Sequence, residues 1–205
     1  YARANYSIAS KYLFTASVRT DGSSKFSPKT RWGVFPSGAF AWNIKEEGFL
    51  KGVKAVSQLK LRLSAGMTGQ QDGIDNYAHL ARYGITTDVY SKYYMGAQGF
   101  NFMMSPQAYD PDIKWETTTT YNVGVDFGFL GDRITGTVDA YLRNTNDLLN
   151  TVNIPTGSNF GNSLFTNIGS LQNKGLEFAL NFIPVQTNDW HLSIGLNGTV
   201  QDTKF

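Results

Sequence analysis

The amino-acid pattern predicts an all-β chain, and more narrowly a transmembrane antiparallel β-barrel wall of about eight strands with long extracellular loops. Three observations carry this. Apolar and polar residues alternate strictly over runs of ten residues or more, the links between runs alternate short and long, and aromatic residues gather at strand ends beside the shorter links. Composition agrees: 205 residues include 21 Gly, 14 Phe, 11 Tyr and 4 Trp with only 17% charged residues, whereas globular chains use about 7% Gly and about 25% charged residues. At 41% hydrophobic residues and a net charge of +2 the chain is no disordered segment.

The elements follow in order. Strands are expected at about 2–8 and 11–20, with Tyr12, Phe14, Ala16 and Val18 on one side and Thr15, Ser17 and Arg19 on the other, and at 33–44. The link from Lys45 to Ser57 carries Phe49, Leu50, Val53 and Val56 at helical spacing, which predicts one short amphipathic turn or helix within 46–58. A fourth strand, 58–68, sets Leu59, Leu61, Leu63, Ala65 and Met67 against Lys60, Arg62, Ser64, Gly66 and Thr68; a fifth, 115–129, sets Tyr121, Val123, Val125, Phe127 and Phe129 against Asn122, Gly124, Asp126 and Gly128. The sixth, 133–144, alternates Ile134, Gly136, Val138, Ala140 and Leu142 with Thr135, Thr137, Asp139, Tyr141 and Arg143. The seventh, 169–183, carries Leu176, Phe178, Leu180 and Phe182, and the eighth, 190–202, runs apolar from Trp190 to Val200 on even numbers. Strands of this length suit a bilayer, which takes about 9 to 11 residues to cross.

Links at 9–10, 130–132 and 184–189 are short, while 21–32, 69–114 and 145–168 are long. This is the asymmetry of tight periplasmic turns and long extracellular loops. Tyr12, Trp42, Phe127, Phe129, Phe182 and Trp190 then form an interfacial girdle on the apolar face. The opposite face carries Arg62, Asp126, Asp139, Arg143 and Glu177, which are expected to face the lumen, since Lys or Arg at the bilayer midplane costs about 2–4 kcal/mol.

Several chemistries are excluded or weakened. Without cysteine there is neither a disulfide framework nor a thiolate site. Charge is spread along the chain with no basic stripe, so nucleic acid is not an expected partner. No 18-residue apolar run exists for a membrane helix, and no charged-then-apolar leader opens at Tyr1, so any signal peptide is expected outside these residues. His79 and His191 lack partners at ligand spacing, and no nucleophile elbow, zinc motif or P-loop is present. No cofactor and no catalytic role are expected. Asp72 and Asp75, or Asp110 and Asp112, match no calcium loop and read as turn formers beside Gly or Pro.

The 69–114 loop holds Tyr77, Tyr83, Tyr90, Tyr93, Tyr94, Phe100, Phe102 and Tyr109 among Gly, Gln and Asn. A loop this long without recognisable structure is uncommon unless functional or disordered. Its rings either form platforms for a sugar or peptide or pack the loop's own core.

An ordered set of stretches marks a family. Arg19-Thr20-Asp21-Gly22-Ser23-Ser24-Lys25-Phe26 leads to Arg31-Trp32-Gly33-Val34-Phe35-Pro36-Ser37 and Ala41-Trp42-Asn43-Ile44. Leu59-Lys60-Leu61-Arg62 and Lys114-Trp115-Glu116-Thr117-Thr118 follow, and later Asn167, Gly169, Asn173, Lys174, Gly175 and Glu177. The set spans nearly the whole chain and resembles the SusC/RagA-like TonB-linked outer-membrane proteins. Gln70-Gln71, where relatives often place Asn-Gln, is a small departure.

The resemblance implies a 22-stranded barrel in the outer membrane of a Gram-negative bacterium, with an N-terminal plug coupled to TonB. It also implies import of oligosaccharides, or in some members oligopeptides, beneath a SusD-like surface lipoprotein. Residues 1–205 would then be part of a single barrel domain, with neither plug nor TonB box in the segment. Phe205 would point inward by the parity of its strand, so the barrel's last residue is expected further on. A soluble carbohydrate-binding β-sandwich and a passive porin are the rival readings.

Overall fold

Strict alternation leaves each strand with one apolar edge, and neighbouring strands must share register if those edges are to form one surface. The computed structural model describes residues 1–85, 92–94, 100–102, 104–155 and 161–205. Eight long strands form one antiparallel sheet: β1 (Ala2–Ile8), β2 (Tyr12–Gly22), β3 (Trp32–Asn43), β4 (Val56–Gln70), β9 (Glu116–Phe129), β10 (Ile134–Asn146), β13 (Ser170–Gln186) and β14 (His191–Lys204), neighbours in that order. Two of the three long loops, 69–114 and 145–168, carry short hairpins of their own. β5 (Tyr83–Ile85) pairs with β8 (Met104–Pro106), β6 (Lys92–Tyr94) with β7 (Phe100–Phe102), and β11 (Leu149–Asn153) with β12 (Ser163–Asn167). The β3–β4 link is a 3-10 turn, Ile44–Glu46, followed by a four-residue helix α1, Gly48–Lys51; Val56, expected on the helical face, already opens β4.

The register puts every predicted apolar edge on the same face. One row reads Ile8, Tyr12, Trp42, Leu61, Val125, Val138, Phe178 and Gly198. The next row, on the opposite and more polar face, reads Ala41, Arg62, Gly124, Asp139 and Glu177. Ile8 ends β1 while Gly198 lies seven residues into β14, from His191. The sheet has seven junctions between its eight strands, so strand ends slip by one residue per strand. At about 3.3 Å per residue and about 4.8 Å between strands, that slip is a tilt of about 35°, the range of barrel walls.

A second sheet never covers the apolar face among the described residues. Leu176, Leu196 and Val200 are 57%, 64% and 71% exposed. A soluble sandwich would need a second apolar face to meet this one. At the upper end of the band Lys174 and Asp202 pair across β13 and β14 on this same face (3.6 Å), where polar groups return. The lower end extends further than expected: a bulge between Phe182 and Val185, at Pro184, carries β13 to Gln186. Among the described residues, the buried hydrophobic side chains lie at the long-loop end, in a cluster of Phe26, Phe35, Ile74, Ala78, Ile113 and Trp115.

Candidate transport interface: inner face and long loops

The polar face is organised by Arg62. Its Nε donates to Asp126 Oδ2 (2.9 Å) and its Nη2 to Asp139 Oδ2 (3.0 Å), so one guanidinium ties β4 to β9 and β10. Asp139 is two strands away, and the residue between them in the row is Gly124. A Cβ there would stand 2.8 Å from Arg62 Nη2 and closer still to Asp139 Oδ1, so the missing side chain is the slot through which Arg62 reaches. The same device recurs one row up. Tyr141 lies across Gly175, whose added Cβ would be 2.8 Å from the Tyr141 hydroxyl, and that hydroxyl donates to Gln201 Oε1 (3.4 Å). Arg143 Cζ stands 5.7 Å from the Tyr141 ring centre, within cation–π range. Glu177, opposite Asp139, is exposed. The five residues expected to face the lumen therefore share one face.

Toward the long loops the wall forks. β3 and β4 pair only from Asn43↔Lys60 to Ser37↔Gly66, although both strands run on. The next residue, Pro36, has no N–H to offer the ladder. Phe35 packs in the opening, its ring over Gly33 and Gly69 and its neighbours Trp115 (5.6 Å, edge-on) and the buried cluster. A trough of about 900 Å³ follows the fork, lined by Thr15, Ser17, Arg19, Ser37, Thr68 and Thr120 among others.

The buried cluster joins three loops. Thr30 Oγ1 donates to Ile113 O (2.7 Å), Trp115 Nε1 to Arg31 O (3.0 Å), and His79 Nδ1 to Lys25 O (3.0 Å). Asn167 clasps the chain at Lys114, accepting from its N–H (2.8 Å) and donating to its carbonyl (2.9 Å). Leu149 and Phe165, from the β11–β12 hairpin, pack on the cluster. Asp110 serves as a turn former, accepting from Asp112 N–H (2.9 Å) and from Thr166 Oγ1. The family-like stretches Arg19–Phe26 and Arg31–Ser37 thus contribute Phe26, Phe35 and the Arg31 carbonyl to packing the loops onto the wall. A large apolar residue, Phe35, on a strand face otherwise made of small or polar residues (Gly33, Ser37, Ala39, Ala41, Asn43) was the available sequence signal for it.

Tyr77, Tyr83, Tyr93 and Tyr109 are not members of that cluster. Tyr77, Tyr83 and Tyr93 are each more than 60% exposed, and Tyr109 is exposed as well. Tyr94 pairs with Phe100 in the β6–β7 ladder, where Phe102 faces Lys92 in register; Tyr90 lies outside the described residues.

At the opposite rim, Tyr12 stacks on Trp42 (6.3 Å), and both donate to Glu47, Tyr12 OH at 2.7 Å and Trp42 Nε1 at 3.2 Å. Lys11 Nζ adds an ion pair at 2.9 Å. These donors hold the Glu47 carboxyl well below its usual range, at about 2, with the Lys11 hydrogen bond the largest cause.

Comparison with known proteins supplies the family. Residues 1–204 match the model described as TonB dependent receptor-like, beta-barrel. The chain belongs to the TonB-dependent receptors. It is SusC/RagA-like: it is 50% identical over 198 residues to the TonB-dependent receptor SusC of Bacteroides thetaiotaomicron, covering 96% of this chain and 20% of that protein. It is 36% identical over 197 residues to TonB-dependent receptor P3 of Formosa agariphila, covering 96% of this chain and 19% of that one. The chain spans about a fifth of the length of these curated relatives. Among solved structures, the RagAB peptide importer in its closed-closed state matches with a TM-score of 0.84 at 29% identity, over 98% of this chain and 21% of that one. The open-open state gives 0.83 at 30% identity over the same shares. The siderophore receptor PirA from Pseudomonas aeruginosa, at 14% identity and a TM-score of 0.59, shares the fold alone. The family is one of outer-membrane β-barrels, so the eight-stranded sheet is a sector of such a barrel.

Proposed function

We propose that the intact protein imports oligosaccharides across the outer membrane under TonB drive, with this sector as barrel wall and extracellular loops. The observation that carries the choice of cargo is the combination at the long-loop end: exposed tyrosine rings on the loops, and a hydroxyl-lined trough on the inner face. Flat apolar rings beside hydrogen-bonding groups suit sugars, whose ring faces are apolar and whose edges are polar. The 50% identity to SusC supports the same reading through the family resemblance. In this reading the apolar face meets outer-membrane lipid, and Arg62, Asp126, Asp139, Arg143 and Glu177 face the lumen and a plug coupled to TonB. A SusD-like surface lipoprotein closes over the loops.

Oligopeptide import is the second reading, favoured by the likeness to the RagAB peptide importer. Titration of the purified full-length receptor with neutral oligosaccharides and with oligopeptides separates the two. The first reading expects saturable binding of an oligosaccharide, weakened at least about tenfold by Tyr83→Ala with Tyr93→Ala and Tyr109→Ala. Binding of peptides alone would establish the second.

A further inference from the structure

The rim at the β3–β4 link exposes apolar groups that a plain turn has no use for. Phe49 is 70% exposed, and the neighbouring hairpin tip presents Leu130 at 60%. Leu130 holds a φ of +55°, where a bulky apolar residue is rare and Asn or Gly is the ordinary occupant. Its N–H donates to Ala55 O (2.9 Å), and Asp132 N–H to Ser57 Oγ (3.0 Å), so tip and link form one continuous edge.

Around Phe49, Val53 and Leu130 stand Lys51, Lys54 and Arg133, all exposed and in no ion pair among the described residues. The two other nearby lysines are engaged, Lys11 with Glu47 (2.9 Å) and Lys45 with the carbonyls of Leu50 (3.0 Å) and Val53 (2.7 Å). Glu46 and Asp132 are the exposed acidic residues of the same edge. Position follows from Glu47. It accepts from Tyr12 and Trp42, both on the apolar face, so the link hangs from the outer side of the rim and not beneath the lumen. Tyr and Trp with polar atoms turned to a rim mark headgroup depth.

We infer that residues 44–55 and the 130–133 tip form an interfacial anchor, with Phe49, Val53 and Leu130 dipping into the acyl boundary and Lys51, Lys54 and Arg133 binding the phosphates of anionic phospholipid in the leaflet beside the short links. Apolar wedges ringed by cations are the pattern of interfacial segments, and the patch continues the apolar face that the barrel reading assigns to lipid, on which it rests.

The test uses the full-length receptor in nanodiscs of phosphatidylcholine with a minority of phosphatidylglycerol. A nitroxide at Phe49→Cys should be reached by oxygen more than by a water-soluble nickel complex, at shallower depth than one at Val138→Cys. Lys51→Glu with Lys54→Glu, both at exposed positions, should lower the phosphatidylglycerol-to-phosphatidylcholine ratio of co-purified lipid at least about fivefold. A Phe49 label as open to nickel as a soluble control, with Val138 still in lipid, overturns the anchor and leaves the wall standing. An unchanged lipid ratio overturns it too, and a Val138 label in water overturns the membrane reading itself.

Discussion

At position 124 the wall depends on an atom it lacks. Gly124→Ala would force Arg62 and Asp139 apart, and a loss of about 1–3 kcal/mol is expected in unfolding of the folded barrel. Gly48→Ala is the control, because an added Cβ there meets nothing within 4 Å. Arg62→Met removes the only cation bound to Asp126 and Asp139 among the described residues. A cost of about 1–3 kcal/mol is expected, and Asp139→Asn should couple to it in a double-mutant cycle. Glu47 adds a pH dependence. Its folded value of about 2 lies below the ordinary 4.5, so its contribution is fully present above about pH 4.5 and fades as pH falls toward 2. The protection of amides 43–51 against exchange, taken relative to their intrinsic rates, should therefore fall below pH 4.5 in the wild type, and Glu47→Gln should remove that dependence. None of these roles was legible in the sequence, where Gly124 read only as a small residue on a strand face and Gly175 only as one position of the family-like set. Each needs the register that sets a long side chain beside them.

The long strands were legible as elements because each carries its own period-two signal. The expected 2–8, 58–68 and 133–144 correspond to Ala2–Ile8, Val56–Gln70 and Ile134–Asn146. What escaped was shorter or irregular. Three-residue strands such as Tyr83–Ile85 carry too few residues for a period, and the bulge at Pro184 switches the apolar edge from Phe182 to Val185 and so hid the end of β13. The loop core was missed for a related reason, since its members come from four separated stretches. Its existence changes how the 69–114 loop should be cut. Removing residues 86–103 spares Ile74, Ala78 and Ile113, and is expected to leave the fold intact while cargo binding falls. Phe26→Ala, in contrast, should cost about 3–5 kcal/mol and raise exchange in all three loops together, because Thr30, Ile113, Trp115 and Phe165 meet around it.

At the scale of the whole molecule, the sector has nearly the same likeness to the RagAB importer in its closed-closed and open-open states, with TM-scores of 0.84 and 0.83. In the role proposed above, such a wall is a frame that holds the loops and the polar-face charges at fixed positions. That requires the apolar face to stand in lipid and the row of Arg62, Asp139 and Glu177 to stand away from it. Photolabelling of the full-length receptor in bilayers by a lipid bearing a diazirine in its acyl chain, mapped residue by residue with mass spectrometry, reads this directly. The expected result is labelling with period two, at Val138, Ala140, Leu142, Leu176 and Phe178 and not at Thr137, Asp139, Tyr141 or Glu177. Labelling of both faces alike, or of the Asp139 face, would contradict the membrane wall.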